Sequence, residues 1–356
     1  MSLQPRPGIL EIAAYVGGEA KIPGVERVIR LASNENPLGP GSLAVEAYRA
    51  EAGSLHRYPD GGANALRRAI AEAEGLEAER LVCGAGSDEL ISLLTRAYAG
   101  PGDEVLYSRH GFLMYPISAK GVGATPVAVP ERNLTADVDA LLAAVTERTR
   151  LLFLANPNNP TGSCLPAAEL ERLQAGLPDH VLLVIDAAYA EYVEAADYAD
   201  GSALVERHDN VVMTRTFSKI HGLASLRLGW AYCPPAVADV LNRLRGPFNV
   251  AAAAQAAGVA AIGDREHLAR SRAHNSRARA AFVEGLKRLN LRAEPSEGNF
   301  VLVAFGDAPA AAEHLKRRGI LVRRMDAYGL PGYLRITIGT DEEMAAVLEA
   351  LADYEQ

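Results

Sequence analysis

From about residue 41 onward, short apolar runs alternate with helical patterns, and few folds accommodate that alternation. The runs fall at 80–83, 104–107, 125–129, 151–155, 181–185, 211–214 and 228–233, with helical patterns such as 87–99 and 166–175 between them. The runs are rich in Val and Leu and are continuously apolar, as strands buried on both faces are. The pattern predicts an α/β domain over 41–263, its mainly parallel sheet sandwiched by helices. Ligands of such sheets bind outside the carboxyl ends of the strands.

Residues 1–40 read as an irregular, Pro- and Gly-rich arm that acts as a lid against the C-terminal part. From about 264 the pattern changes. A long Arg/Ala-rich helix over 264–289 leads to strands near 300–304 and 333–338, flanked by helices near 309–318 and 341–354. This predicts a smaller α+β domain over 264–356, with Pro309 opening its helix. Arg265, Arg270, Arg272, Arg277 and Arg279 read as a solvated face.

The chain has 356 residues and a net charge of −8, which argues against nucleic acid or an anionic membrane as partner. No apolar run approaches the roughly 18 residues that a membrane span needs. Cys83, Cys164 and Cys233 are far apart, without metal-ligand spacing. No metal is expected, and the sparse cysteines and lack of a visible signal peptide point to a cytoplasmic protein.

The chemistry concentrates at strand ends. Thr216-Phe217-Ser218-Lys219 closes one run, with Arg227 eight residues on. Desolvation and nearby cations lower a lysine's pKa, and a neutral amine attacks an aldehyde. The two hydroxyls and the guanidinium suit a phosphate. Gly84-Ala85-Gly86-Ser87-Asp88-Glu89 links a strand to a helix, where free N–H groups attract a phosphate. Its first half resembles a dinucleotide-binding turn, but Glu89 replaces the third glycine, against a nicotinamide site. Phe112, in His110-Gly111-Phe112-Leu113-Met114-Tyr115, is placed to stack on a heteroaromatic ring or to join the core. Asn156-Pro157-Asn158-Asn159-Pro160-Thr161-Gly162 carries more asparagine and proline than a plain turn needs, and Asn159 can donate to a phenolate. Asp186 ends a buried run and needs a partner such as a pyridinium N–H, unless it caps a helix; Tyr189 follows by one turn. Arg335 in an apolar run needs an anion, and Arg323 is a second candidate anchor.

Together these residues resemble the fold-type-I aminotransferases that use pyridoxal 5'-phosphate (PLP), over nearly the whole chain. Within that superfamily the likeness is greatest to the histidinol-phosphate aminotransferases. It is carried by Ser33-Asn34-Glu35-Asn36-Pro37-Leu38-Gly39-Pro40, Arg57-Tyr58-Pro59, Gly86-Ser87-Asp88-Glu89, Pro157-Asn158-Asn159-Pro160-Thr161-Gly162, Thr216-Phe217-Ser218-Lys219 and Leu334-Arg335-Ile336-Thr337-Ile338-Gly339. The resemblance implies that Lys219 holds PLP as a Schiff base and then moves the proton. Asp186 pairs with the ring nitrogen, Asn159 and Tyr189 hold the phenolate oxygen, and Phe112 stacks on the ring. Ser87, Asp88, Thr216, Ser218 and Arg227 surround the phosphate. Tyr58 reaches the phosphate of a neighbouring subunit, which implies a homodimer with shared sites. Arg335 takes a substrate anion, and Tyr15, Asn36 and Arg323 line the substrate pocket. Two positions depart from the pattern: His221 replaces an aromatic residue and Ser225 a glycine. The implied reaction moves an amino group from L-histidinol phosphate to 2-oxoglutarate. Rival readings are an aromatic amino acid aminotransferase, a decarboxylase of a phosphorylated amino acid, and a non-catalytic regulator. A regulator of this type would carry a DNA-binding domain, for which the early turn motif leaves no room.

Overall fold

The structure is a computed structural model that describes residues 3–14, 17, 19 and 21–354. In chain order its strands are β1 (Ile29–Leu31), β2 (Leu81–Gly84), β3 (Glu104–Ser108), β4 (Thr125–Val129), β5 (Glu131–Arg132), β6 (Thr135–Ala136), β7 (Thr149–Ala155), β8 (Leu182–Asp186), β9 (Val211–Thr216), β10 (Gly229–Tyr232), β11 (Phe300–Ala304), β12 (Ile320–Arg324) and β13 (Tyr333–Thr337). Seven form one sheet in the order β2-β10-β9-β8-β7-β3-β4. Only β10 runs against its neighbours, β2 and β9. All seven apolar runs of the sequence therefore become strands of this one, mainly parallel sheet.

Apart from the edge strand β4, both of its faces are largely dry, which is why the runs do not alternate with polar residues. Leu152 and Leu154 of β7, Leu183 and Ile185 of β8, and Val211 and Met213 of β9 point to one side. There they join Leu66 and Ile70 of the helix Asn64–Glu74 and Ala257 of the helix Ala252–Gly263. Leu151, Phe153, Leu182, Val184 and Val212 point to the other side, toward Leu90, Ile91 and Leu94 of the helix Ser87–Tyr98. Each such side chain contributes about 1.5–3 kcal/mol by leaving water. The helices thus hold the strand ends in fixed positions.

The second sheet has the order β1-β12-β13-β11, with β1 parallel to β12 and the other pairs antiparallel. The helix Arg265–Arg288 covers it with Ala278, Phe282 and Leu286, and the helices Ala308–Arg317 and Asp341–Ala352 complete the layer. Of the five arginines read as a solvated face, four are exposed and Arg279 is half-buried against the Gly298 carbonyl at 2.8 Å. Asp307 caps the helix Ala308–Arg317, so Pro309 falls second rather than first in it. Two strands of this sheet differ from the sequence reading. β1 lies within the segment read as irregular, and β12 ends in two arginines. Both are held by backbone pairing to neighbours, which a side-chain pattern does not display. Among the described residues no helix is long and apolar enough to cross a membrane.

Candidate active site

The carboxyl ends of β7, β8 and β9 and the turn after β2 border a cleft of about 290 Å³, closed on its other side by β12 and β13. Of the sequence-predicted site residues that the structure describes, all but Asn36 and Tyr58 line it.

The turn after β2 makes one end. Gly86 has φ +86° and precedes the helix Ser87–Tyr98, whose first turn lacks a side-chain cap. A Cβ on Gly86 would lie 2.5 Å from Arg227 Nη2, so glycine is needed both for the backbone and for the approach of the guanidinium. Arg227 donates to Asp88 Oδ2 at 3.0 Å and to Ser218 Oγ at 3.2 Å. Thr216 Oγ1 accepts the Ser218 N–H at 3.1 Å. Hydroxyls, helix N–H groups and a guanidinium thus converge, which is the chemistry of a phosphate cup. Glu89, where a dinucleotide turn has glycine, accepts from the Ala85 N–H at 2.6 Å and from Asn249 Nδ2 at 2.8 Å. It braces the turn instead.

Lys219 follows β9, with Nζ 3.3 Å from the Ser33 carbonyl oxygen and 5.6 Å from the centre of the Tyr189 ring. Burial, then the Arg335 and Arg227 charges, bring its pKa down to about 8, against the opposing pull of Asp88 and Glu35. Asp186 is the last residue of β8, a strand end rather than a helix cap. Burial pushes its carboxyl up to about 6, while hydrogen bonds from Tyr115 and Thr214 act in the opposite sense. The Tyr115 hydroxyl donates to Oδ2 at 2.8 Å and Thr214 to Oδ1 at 3.4 Å. Tyr115 stacks on Phe153 at 4.7 Å and meets the edge of Phe112, the cleft's aromatic wall, at 5.9 Å. Sequence reasoning missed Tyr115 because a phenol at the start of an apolar helix reads as core.

Tyr189 also lines the cleft, its oxygen accepting from Asn34 Nδ2 at 2.8 Å. Burial pushes its phenol up to about 12, so it is protonated and can donate. Asn159 presents its carbonyl oxygen to Arg335 Nη1. That contact orients the amide, leaving the NH₂ group as its donor. Arg335 is buried and also donates to the Ala32 carbonyl at 2.8 Å. Arg323 on β12 is its cross-strand partner, and both line the cleft.

Two expected residues among those described, Asn36 and Tyr58, do not line the cleft. Asn36 is engaged elsewhere: its amide donates to the Ile220 carbonyl at 2.7 Å and to Ser271 Oγ at 3.0 Å, and its oxygen accepts the Leu38 N–H at 3.0 Å. It pins the turn to the segment after Lys219, and Asn34, two residues earlier with φ +56°, reaches the cleft. Tyr58 is 83% exposed and stacks on Phe248 at 4.6 Å. Tyr15 lies outside the described residues. Tyr328, which the sequence reading did not single out, joins the lining. Neither departure disturbs the site. His221 is buried, packed on Phe217 at 4.7 Å with Nε2 3.7 Å from Glu191 Oε1. Ser225 is exposed in a short turn, Ala224–Leu226, and does not need the left-handed backbone that favours glycine.

These groups fit a phosphorylated pyridine aldehyde. A buried carboxylate with a raised pKa waits for a cationic N–H, an amine of lowered pKa stands apart from it, and the Gly86–Arg227 approach shapes a cup for phosphate. A sequence profile of the family "Aminotransferase class I and II" matches residues 26–351. This chain belongs to that family. It is 64% identical over 354 residues to the histidinol-phosphate aminotransferase of Rhodospirillum centenum, covering 98% of each chain. It is 58% identical to the enzyme of the same name from Paramagnetospirillum magneticum, again over 98% of each. Among solved structures, the histidinol-phosphate aminotransferase of Sinorhizobium meliloti in complex with pyridoxal-5'-phosphate superposes with a TM-score of 0.90 at 29% identity, over 99% of this chain and 98% of that one. The fold is therefore the fold-type-I aminotransferase fold, and the chain is a transaminase.

Proposed function

We propose that this transaminase uses PLP to move the amino group of L-histidinol phosphate to 2-oxoglutarate, giving imidazole acetol phosphate and glutamate. The observation that carries the choice of substrate is the cross-strand pair Arg323 and Arg335, on the cleft wall that faces Lys219. Both substrates are anionic, one through phosphate and one through two carboxylates, and a guanidinium fork binds either. The identity to two histidinol-phosphate aminotransferases over nearly their full length supports the same reading.

Bound in the cleft, PLP would supply an electron sink for the carbanion left when the amino-bearing carbon loses its proton. Arg227, the hydroxyls of Ser87, Ser218 and Thr216 and the helix N–H of Asp88 would hold its phosphate, Asp186 its ring nitrogen, Asn159 and Tyr189 its phenolate oxygen, and Phe112 one ring face. Tyr115 and Thr214 keep the Asp186 carboxylate aimed and ionised. Lys219 Nζ, uncharged above about pH 8, can take a proton from one carbon and return it to another. Arg335, oriented by Asn159 and the Ala32 carbonyl, draws the substrate's anion toward the lysine.

The functional unit in this reading is a cytoplasmic homodimer with shared sites. Tyr58 and Phe248 stack on each other and are both exposed, so Tyr58 is available to a neighbouring subunit. Steady-state kinetics tests the substrate. The kcat/KM for histidinol phosphate should exceed that for phenylalanine or tyrosine by at least about 10²-fold, about 2.7 kcal/mol. Arg323→Ala should erode that margin. Parity between the donors would favour an aromatic aminotransferase.

A further inference from the structure

His110 lies behind the cleft, buried, and touches three segments that shape it. Its Nδ1 is 2.7 Å from the carbonyl oxygen of Tyr328. A carbonyl only accepts, so Nδ1 carries the hydrogen and donates it. Its own N–H donates to Glu131 Oε1 at 3.0 Å, which fixes the backbone after β3. Its carbonyl accepts from Asn158 Nδ2 at 3.4 Å, next to Asn159. Two residues on, Phe112 forms the aromatic wall, and Leu113 packs among Met325, Tyr328 and Leu330. The Tyr328 end is a tight turn: Gly329, at φ +73°, places its backbone so that a Cβ would sit 3.9 Å from the His110 ring. That turn follows β12 directly, and Tyr328 lines the cleft together with Arg323.

We propose that His110 is a positioning residue for the amino donor: its Nδ1–H bond to the Tyr328 carbonyl locks the Arg323–Tyr328 wall of the second sheet against the Phe112–Asn159 wall of the first. The inference rests on the reading that the Arg323 side of the cleft receives the substrate. His110 touches neither substrate nor cofactor. Its loss therefore loosens the donor wall, while the phosphate cup, Lys219 and Asp186 stay in place.

The test compares wild type, His110→Ala and His110→Asn as holoenzymes. The Asn amide nitrogen falls near the place of Nδ1 and retains the donor. His110→Ala should raise the KM for histidinol phosphate about tenfold, the scale of one hydrogen bond, and change kcat less than about threefold. Cofactor retention should match wild type. His110→Asn should return KM to within about threefold of wild type. An unchanged KM in His110→Ala, an Asn variant as impaired as the Ala variant, or a loss of cofactor that accounts for the defect overturns the proposal. If wild type refuses histidinol phosphate but accepts another donor, the substrate reading fails instead. The same three proteins, assayed with the accepted donor, then decide the role of His110 by the same outcomes.

Discussion

Burial acts in opposite directions on the two central ionisable groups: it raises the Asp186 carboxyl to about 6 and lowers the Lys219 amine to about 8. Each neutral form is favoured because a dry cleft solvates charge poorly. For Lys219 the sign is direct. The amine is protonated below its pKa, so capture of PLP by the apoenzyme should rise about tenfold per pH unit up to about 8 and level off above it. Stopped-flow absorbance across pH measures this, and a rise continuing toward the ordinary lysine value of 10.5 would contradict it. For Asp186 the Tyr115 hydrogen bond lowers the pKa, so Tyr115→Phe should raise it. A bond to a charged group is worth about 1.5–3 kcal/mol, or roughly one to two pH units. The ionised form is lost as pH falls, so the acid limb of the half-reaction should move to higher pH in this variant. An unmoved limb would show that Tyr115 does not govern Asp186. Asp186 and Lys219 were legible in the sequence because each ends an apolar run. Tyr115 was not, since its hydroxyl matters only through a carboxylate 71 positions away. That Asn34 rather than Asn36 lines the cleft was hidden too, because the positive φ of Asn34 cannot be read from two asparagines standing two positions apart in one turn.

At the scale of elements, the turn after β2 does the most for the site. Gly86→Ala would force a side chain into a backbone region, φ +86° and ψ 165°, that is essentially open to glycine alone, at a cost of about 1–3 kcal/mol, and would also push on Arg227. We expect the dissociation constant for PLP to rise by about tenfold or more with far-ultraviolet dichroism unchanged. Wild-type affinity in this variant would remove the turn from the phosphate cup. The strands of the large sheet were legible because they are buried on both faces and bounded by turns. β1 and β12 were not, because β1 has three residues and β12 turns Arg323 toward the cleft. The arginine that lets β12 line the cleft is what kept it from reading as a strand.

For the whole molecule, residues of two sheets face one cleft, and in the proposed function two unlike substrates alternate in it. The exposed Tyr58 places part of the expected phosphate contact outside the single chain's cleft. Lys219→Ala and Tyr58→Ala proteins, each impaired alone, should recover activity when unfolded together and reassembled. One site of the hybrid then has both residues intact, giving about a quarter of wild-type activity for random pairing of equal amounts. Recovery near zero would place Tyr58 outside the neighbouring site. The resemblance made that role legible, not the physical pattern of the residues around Tyr58, which alone reads as an ordinary turn. The most direct test of the central claim is a single-turnover reaction of the holoenzyme with L-histidinol phosphate and, separately, L-phenylalanine, without an acceptor. The account predicts that histidinol phosphate discharges the cofactor's visible absorbance at least about 10²-fold faster at equal subsaturating concentration, and that Lys219→Ala shows no such reaction. Equal rates for the two donors, or full-speed discharge in Lys219→Ala, would contradict it.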